Sequence, residues 1–201
     1  MTRVALIDYG AGNLRSAERA LAHVGATVEV SCDPAAISRA DRIVLPGQGA
    51  FAQCMGALSA KPGLIAALEE TVIAKTRPFL GICVGMQLMA ERGLEHEITR
   101  GLGWIPGECR QLRTGPADRL PHMGWNEVAA AHLVLDSARM YFAHSFIVAP
   151  ANPAHIAATT THGETFAAAL ARDNLLGVQF HPEKSQAAGL ALLARFLDWK
   201  P

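Results

Sequence analysis

Short apolar runs bounded by glycine or proline alternate with stretches of helical periodicity through the first half of this sequence, and that alternation restricts the fold more than any other feature. Val4-Ala-Leu-Ile-Asp8, Thr27–Ser31, residues 42–45 and Pro78-Phe-Leu-Gly-Ile82 read as strands. After the first of them Leu14, Ala17, Leu21 and Val24 share one helical face, with Asn13 placed to cap the helix and Gly25 to stop it. Residues 62–76 read as another helix, burying Leu64, Ala67, Leu68 and Val72. Strands separated by covering helices pair in parallel, so the expected architecture is α/β.

Beyond Gly101 the pattern changes. Segments 108–112, 140–146, 155–161 and 165–171 are shorter and either alternating or rich in β-branched residues, which suggests antiparallel or mixed sheet. Residues 175–181 read as a last strand and 186–199 as a closing helix with Leu192, Leu193, Phe196 and Leu197 as its apolar stripe. With no repeat or linker in sight, residues 1–201 are expected to form one domain.

Charge and cysteine usage exclude several classes of function. Eighteen basic side chains balance eighteen acidic ones, so no net field draws the chain to nucleic acid or to an anionic membrane. No apolar run is long enough to span a bilayer, and the N-terminal residues enter a strand at once with no signal-peptide pattern, so a cytoplasmic protein is expected. Cys32, Cys54, Cys83 and Cys109 lie at irregular spacings without Cys-x-x-Cys or a histidine pair, which argues against a disulfide framework and against a metal site.

In Gly81-Ile-Cys83-Val-Gly85-Met-Gln87 a nucleophilic side chain is flanked two positions away on each side by glycine. This is the spacing of a nucleophile elbow, in which the turn from strand to helix is too tight for larger neighbours and the helix start offers unpaired N–H groups and a positive dipole end. The motif alone fits a small buried thiol equally well. Gly177-Val-Gln-Phe-His181-Pro-Glu183 decides between the two. In extended backbone alternate residues face one way, so His181 and Glu183 are expected on one side as a base and the carboxylate that orients it, with Cys83 as nucleophile.

Leu45-Pro-Gly-Gln-Gly-Ala-Phe51 is a candidate oxyanion strand, with backbone N–H groups at Gln48 or Gly49 acting beside that of Val84. Gly10-Ala-Gly12-Asn-Leu-Arg15 is not read as a nucleotide loop, because Arg15 replaces the third glycine of the dinucleotide fingerprint. Pro121-His-Met-Gly-Trp-Asn126 and Tyr141-Phe-Ala-His-Ser-Phe146 place polar and aromatic residues at loop-like or strand-end positions, where packing and function are both open.

Gly-Ile-Cys83-Val-Gly-Met-Gln87 and Phe-His181-Pro-Glu183 together resemble the signature of class I, triad-type glutamine amidotransferases, over the whole chain. Within them, Asp8-Tyr-Gly-Ala-Gly-Asn13, Pro46-Gly-Gln-Gly-Ala-Phe51, Pro121-His-Met-Gly-Trp-Asn126 and Tyr141-Phe-Ala-His-Ser145 resemble the glutaminase subunits of imidazole glycerol phosphate synthase. The resemblance implies a flavodoxin-like, three-layer open mixed sheet with a mostly parallel core and an antiparallel extension.

It further implies that Cys83 attacks the side-chain amide of L-glutamine, that His181 passes the proton to ammonia, and that Glu183 holds the imidazole. A glutamyl thioester is then hydrolysed to glutamate, with no cofactor. The glutamine pocket carries over onto Gln87 and Glu95, with Gly49, His144 and Ser145 beside them; Glu91 and Glu97 flank Glu95 closely. Ammonia is implied to pass to a partner cyclase, an eight-stranded α/β barrel forming a heterodimer with this chain, which makes imidazole glycerol phosphate and an aminoimidazole carboxamide ribonucleotide in histidine biosynthesis. Asn13, Met123, Gly124 and Trp125 are implied to face it. Gln48 stands where many relatives carry an apolar residue such as valine, but the expected donor there is backbone. The glutaminase of vitamin B6 synthesis shares the triad, while the segments around Tyr9 and Met123 argue against it; a self-sufficient cysteine hydrolase and a non-catalytic flavodoxin-like module are the remaining alternatives.

Overall fold

The computed structural model describes residues 1–116 and 118–201. Its first half runs β1 (Arg3–Ile7), α1 (Leu14–His23), β2 (Thr27–Ser31), α2 (Pro34–Arg39), β3 (Arg42–Gly47), α3 (Phe51–Ser59), α4 (Leu64–Leu68), β4 (Phe79–Cys83) and α5 (Val84–Gln87). The second half is strand-rich, with β5 (Ala90–Gly93), β6 (Thr99–Arg100), β7 (Ile105–Gln111), β8 (His122–Ala130), β9 (Ala138–His144), β10 (Phe146–Pro150), β11 (Ile156–His162), β12 (Glu164–Arg172) and β13 (Leu175–Val178), closed by α6 (Gln186–Asp198).

Among the described residues nine strands form the larger sheet, in the order β2-β1-β3-β4-β13-β12-β11-β8-β9. The five from β2 to β13 pair in parallel, and all but the edge strand β2 are almost wholly apolar, as strands covered on both faces must be. The remainder pairs antiparallel, giving the expected mixed sheet. A second, separately hydrogen-bonded sheet runs β10-β7-β5-β6, with β10 packed near β12 of the first. Helix α1 packs on α6, whereas α2 and α3 pack on α4, so helices form a layer on each face.

Local chemistry accounts for most boundaries. The Asn13 side chain accepts from Ser16 N at 3.4 Å and starts α1, and Gly25 takes the left-handed conformation (φ 95°) just past its end. The helix expected over residues 62–76 is shorter and irregular. It begins after Gly63, which is left-handed at φ 73°, and from Glu69–Ala74 it widens into a π-helical turn before Pro78.

Two readings of the second half need correction. Residues 122–126, read as loop-like or strand-end, open β8 and are not a loop, because Gly124 and Trp125 pair with Phe142 and Tyr141 across a regular antiparallel ladder. Residues 140–146 are not one strand: the chain breaks at Ser145, with β9 in the larger sheet and β10 in the smaller. Apolar and aromatic residues on both sides of His144-Ser145 hide such a sheet switch, since both strands are buried on at least one side.

Candidate active site

The site lies where the C-terminal ends of the parallel strands meet. In register, Cys83 sits beside Gly47 of β3, and Ile82 sits beside Val178 of β13. The nucleophile candidate is therefore flanked by the glycine-rich strand end on one side and by the Gln179–Glu183 segment on the other, the crevice position typical of open α/β sheets.

Cys83 has φ 54° and ψ −112°, a conformation L side chains rarely adopt. The elbow is held by close backbone packing. A Cβ on Gly81 would lie 2.7 Å from the Gly85 carbonyl oxygen, one on Gly47 would lie 2.7 Å from Gly85 N, and one on Gly85 would overlap the Leu45 carbonyl oxygen. The glycine spacing is thus a steric requirement. The helix that follows, α5, is a single turn, so the contribution expected from its dipole is small and the nearby N–H groups carry the local electrostatics.

His181 Nδ1 lies 2.8 Å from Glu183 Oε1, and their side chains are only 9% and 4% exposed. The pairing arises differently from the alternation expected of an extended strand. β13 stops at Val178, and Pro182–Lys184 forms a 3-10 turn in which Pro182 takes an early position suited to its fixed φ. The turn is pinned to β9: His181 N donates to Tyr141 O at 2.9 Å, Tyr141 N to Ser185 Oγ at 3.0 Å, and Ser185 Oγ to His181 O at 2.6 Å. Burial alone would push the His181 imidazole down, but the adjacent Cys83 sulfur and Glu183 carboxylate raise it to about 9. The geometry thus favours the protonated form of His181, beside the nucleophile candidate.

Around this pair is a cavity of about 160 Å³, below the range of drug-sized pockets and suited to one small metabolite. Its lining gathers Cys83, His181, Gln48, Gly49, Val84, Gln87, Glu95, His144 and Ser145 from separate parts of the chain. Glu183 is buried behind His181, its Oε2 without a partner. The cluster of acidic residues resolves geometrically: Glu95 lines the cavity while its Oε2 accepts from Phe51 N at 2.8 Å, Glu91 is bound to Gly107 N at 2.9 Å, and Glu97 opens onto a different groove. Asn13, Met123, Gly124 and Trp125 stay outside the cavity. Met123 and Trp125 are 65% and 40% exposed on β8, and the Gly12–Asn13 loop abuts Pro46.

Two supports sit behind the glycine-rich strand end. The Tyr9 hydroxyl donates to Pro46 O at 2.9 Å, and the Cys54 thiol donates to Gln48 O at 3.3 Å. Burial pushes both groups above their ordinary values, so they remain neutral donors at neutral pH.

The family model described as Glutamine amidotransferase class-I matches residues 5–199. The chain belongs to this family. The class-I amidotransferase is 52% identical to the imidazole glycerol phosphate synthase subunit HisH of Zymomonas mobilis, over 98% of the chain and 96% of that protein. It is 49% identical to the HisH subunit of Caulobacter vibrioides over the full length of both, and 48% identical to that of Brucella abortus over 99% of the chain and all of the relative. Among solved structures, a glutamine amidotransferase superposes with a TM-score of 0.77 at 16% identity, covering 97% of each chain. PurLQS from Thermotoga maritima superposes with 0.71 at 17%, covering 98% of this chain and 99% of that one. Both likenesses concern the fold.

Sequence reasoning misses three side chains at or beside the candidate site. Lys184 lines the cavity and extends over the Tyr141 ring, 5.9 Å from its centroid. His122 stands behind His144, with Nδ1 2.9 Å from His144 Nε2. Gln179 is buried next to Cys83. A polar residue inside the apolar run 175–180 is the available signal for Gln179; the role of His122 depends on the β8–β9 pairing and has none.

His144 and His122 form a chain whose direction is set by its ends. Phe146 O can only accept, so His144 Nδ1, 2.9 Å away, carries the proton and His144 Nε2 is left to accept from His122 Nδ1. His122 Nε2 then accepts from Asn126 Nδ2 at 3.1 Å, and Asn126 is anchored by donating to Thr161 O at 2.9 Å. Both rings must be neutral for this. Burial, aided by the neighbouring histidines, pushes His122 down to about 4 and His144 down to about 3. Between the unfolded value of about 6.5 and these values the unfolded chain binds more protons, so the stability these groups contribute is present above pH 6.5 and lost as pH falls. His181 acts in the opposite sense, contributing fully below pH 6.5 and losing its contribution as pH rises through about 9. The urea midpoint is expected to fall on the acid side of pH 6.5, and to fall less steeply in His122→Asn. An acid limb identical in the variant would exclude a neutral His122 as its cause.

Proposed function

We propose that this amidotransferase hydrolyses L-glutamine at Cys83 and supplies the ammonia to a cyclase subunit of imidazole glycerol phosphate synthase, in histidine biosynthesis. The observation that carries the reading is the convergence of the Cys83 elbow, the buried His181–Glu183 pair and the Gln48–Gly49 strand end on one small cavity. The Cys83 sulfur attacks the side-chain amide carbon, and the oxyanion is met by backbone N–H groups of Gln48 or Gly49 and of Val84. His181 protonates the departing nitrogen, ammonia leaves, and a glutamyl thioester remains. His181, now neutral and oriented by Glu183, takes a proton from water, which opens the thioester to glutamate. Gln87, Glu95 and Ser145 hold the amino-acid end of the substrate, and the neutral His144, whose two ring nitrogens are already engaged, walls the pocket beside them. Residues 1–201 act as one glutaminase domain, and no cofactor enters any step.

The cyclase reading is supported by the HisH relatives, whose names make them synthase subunits, and by the exposed apolar side chains of Met123 and Trp125 beside Gly124 on β8. Together with Asn13 they form the face for an eight-stranded α/β barrel partner in a heterodimer. A reducing, cytoplasmic setting is consistent with four free cysteines, and among the described residues no helix is long and apolar enough to cross a membrane. The test is to combine the chain with a cyclase and glutamine labelled with ¹⁵N in the amide. Label is expected in the imidazole product, with glutamine turnover far higher than for the isolated chain. Equal turnover with and without the cyclase, or an unlabelled product, would refute the assignment.

A further inference from the structure

Gln179 follows the last residue of β13, inside the run Leu175-Leu-Gly-Val-Gln-Phe180, and its side chain is fully buried at 0% exposure. An amide in such surroundings is costly unless it is hydrogen-bonded. It has two partners: Gln179 Oε1 lies 3.2 Å from Gln87 Nε2, and Gln179 Nε2 lies 3.7 Å from Cys83 Sγ.

Which end of the amide meets the sulfur is dictated from outside. The Phe146 carbonyl can only accept, so the end of Gln87 that lies 2.9 Å from it is the NH2 group. The second hydrogen of that group points to Gln179, whose facing atom must therefore be oxygen. Reversing Gln179 would set one NH2 against another. The donor end of Gln179 is thus turned to Cys83 by a backbone carbonyl of β10, which His144 Nδ1 also engages at 2.9 Å.

We propose that Gln179 is a catalytic residue that donates an N–H to the Cys83 sulfur, holding the thiolate before attack and stabilising it again as the leaving group of the thioester. The proposal rests on the reading of Cys83 as the nucleophile. A sulfur is a weak acceptor as a thiol and a far better one as a thiolate, so the bond favours the charged form. In the second half-reaction water adds to the thioester carbonyl, its proton passes to His181, the carbon–sulfur bond breaks and the electron pair returns to sulfur. The donor is then already in place where that charge appears. His181 alone cannot serve both ends of this step, because it is occupied by the proton from water.

The experiment uses the complex with the cyclase and two variants. Gln179→Met keeps length and volume without a donor, and Gln179→Glu keeps an acceptor for Gln87 while facing the sulfur with oxygen. A hydrogen bond to a charged group is worth about 1.5–3 kcal/mol, so at 1.36 kcal/mol per decade kcat is expected to fall roughly 10- to 100-fold, with KM little changed in Gln179→Glu, which keeps the contact to Gln87. Alkylation of Cys83 by iodoacetamide, followed by mass spectrometry, should shift to higher pH in both variants. If one variant fails to fold, the other reads the same quantity. An alkylation profile matching the wild type in a folded variant, with or without loss of kcat, overturns the proposal. Full activity in Cys83→Ala, or an unreactive Cys83 in the active wild type, would instead sink the nucleophile assignment.

Discussion

Cys83→Ala is expected to lose glutamine hydrolysis by a factor on the order of 10⁴ to 10⁶, the scale on which removing a triad nucleophile acts, while retaining the fold and glutamine binding. The substitution removes one atom from a buried position and leaves the backbone problem untouched, because alanine at φ 54° is as strained as cysteine. Cys83→Gly should be just as inactive yet more stable than Cys83→Ala by about 1 kcal/mol, since only glycine relaxes that conformation. The pair of variants separates chemistry from strain: steady-state glutaminase rates read the first, urea midpoints the second. A glutamine-derived diazo ketone should add to the wild-type protein at Cys83 and to neither variant. Persistent turnover in Cys83→Ala would remove the thioester mechanism, and an alanine variant as stable as the glycine one would remove the strained elbow.

The largest stability effect is expected at Gly85. A methyl group there would enter the space of the Leu45 carbonyl oxygen, and its neighbours are backbone atoms that cannot swing aside. Overpacking of this kind costs about 1–3 kcal/mol when side chains adapt, so Gly85→Ala is expected to reach about 3 kcal/mol or more, or to prevent folding. Gly56 in α3 is the control. Nothing lies within 4 Å of a Cβ built there, and alanine favours the helix by up to about 1 kcal/mol. Chemical denaturation of the two variants should therefore give shifts of opposite sign. A Gly85→Ala protein of wild-type stability would mean that α5 and β3 can part without loss, contrary to the packing that seats Cys83.

The glycine spacing of the elbow explains why so much of the site is legible in the amino-acid sequence. Gly81, Cys83 and Gly85 lie within five residues, and the close approach of Gly81 to the Gly85 carbonyl is local, whereas the contact of Gly85 with Leu45 is made by the fold. The His181-Pro-Glu183 motif is legible for the same reason. The 3-10 turn that brings its two side chains together is not, because Pro182 is compatible with an extended chain and with the first position of a turn. The β8 strand escapes a sequence reading because a glycine and polar residues in Pro121–Asn126 carry loop signals, and pairing with β9 overrides them.

What the sequence by itself determined is the covalent logic: an α/β chain with a parallel core, a cysteine at a tight strand-to-helix turn, and a histidine with its carboxylate near the far end. Each depends on neighbours a few residues apart, where sterics and backbone geometry act without the rest of the molecule. Tertiary structure alone decided how Glu95, named by the family resemblance, is seated against Phe51 N, how His122 and His144 share protons, and that Gln179 turns its donor end to Cys83. Those outcomes depend on hydrogen bonds between residues as distant in sequence as Cys83 and Gln179, or Gln87 and Phe146, and a buried polar group takes its orientation from whichever partners folding brings within about 3 Å.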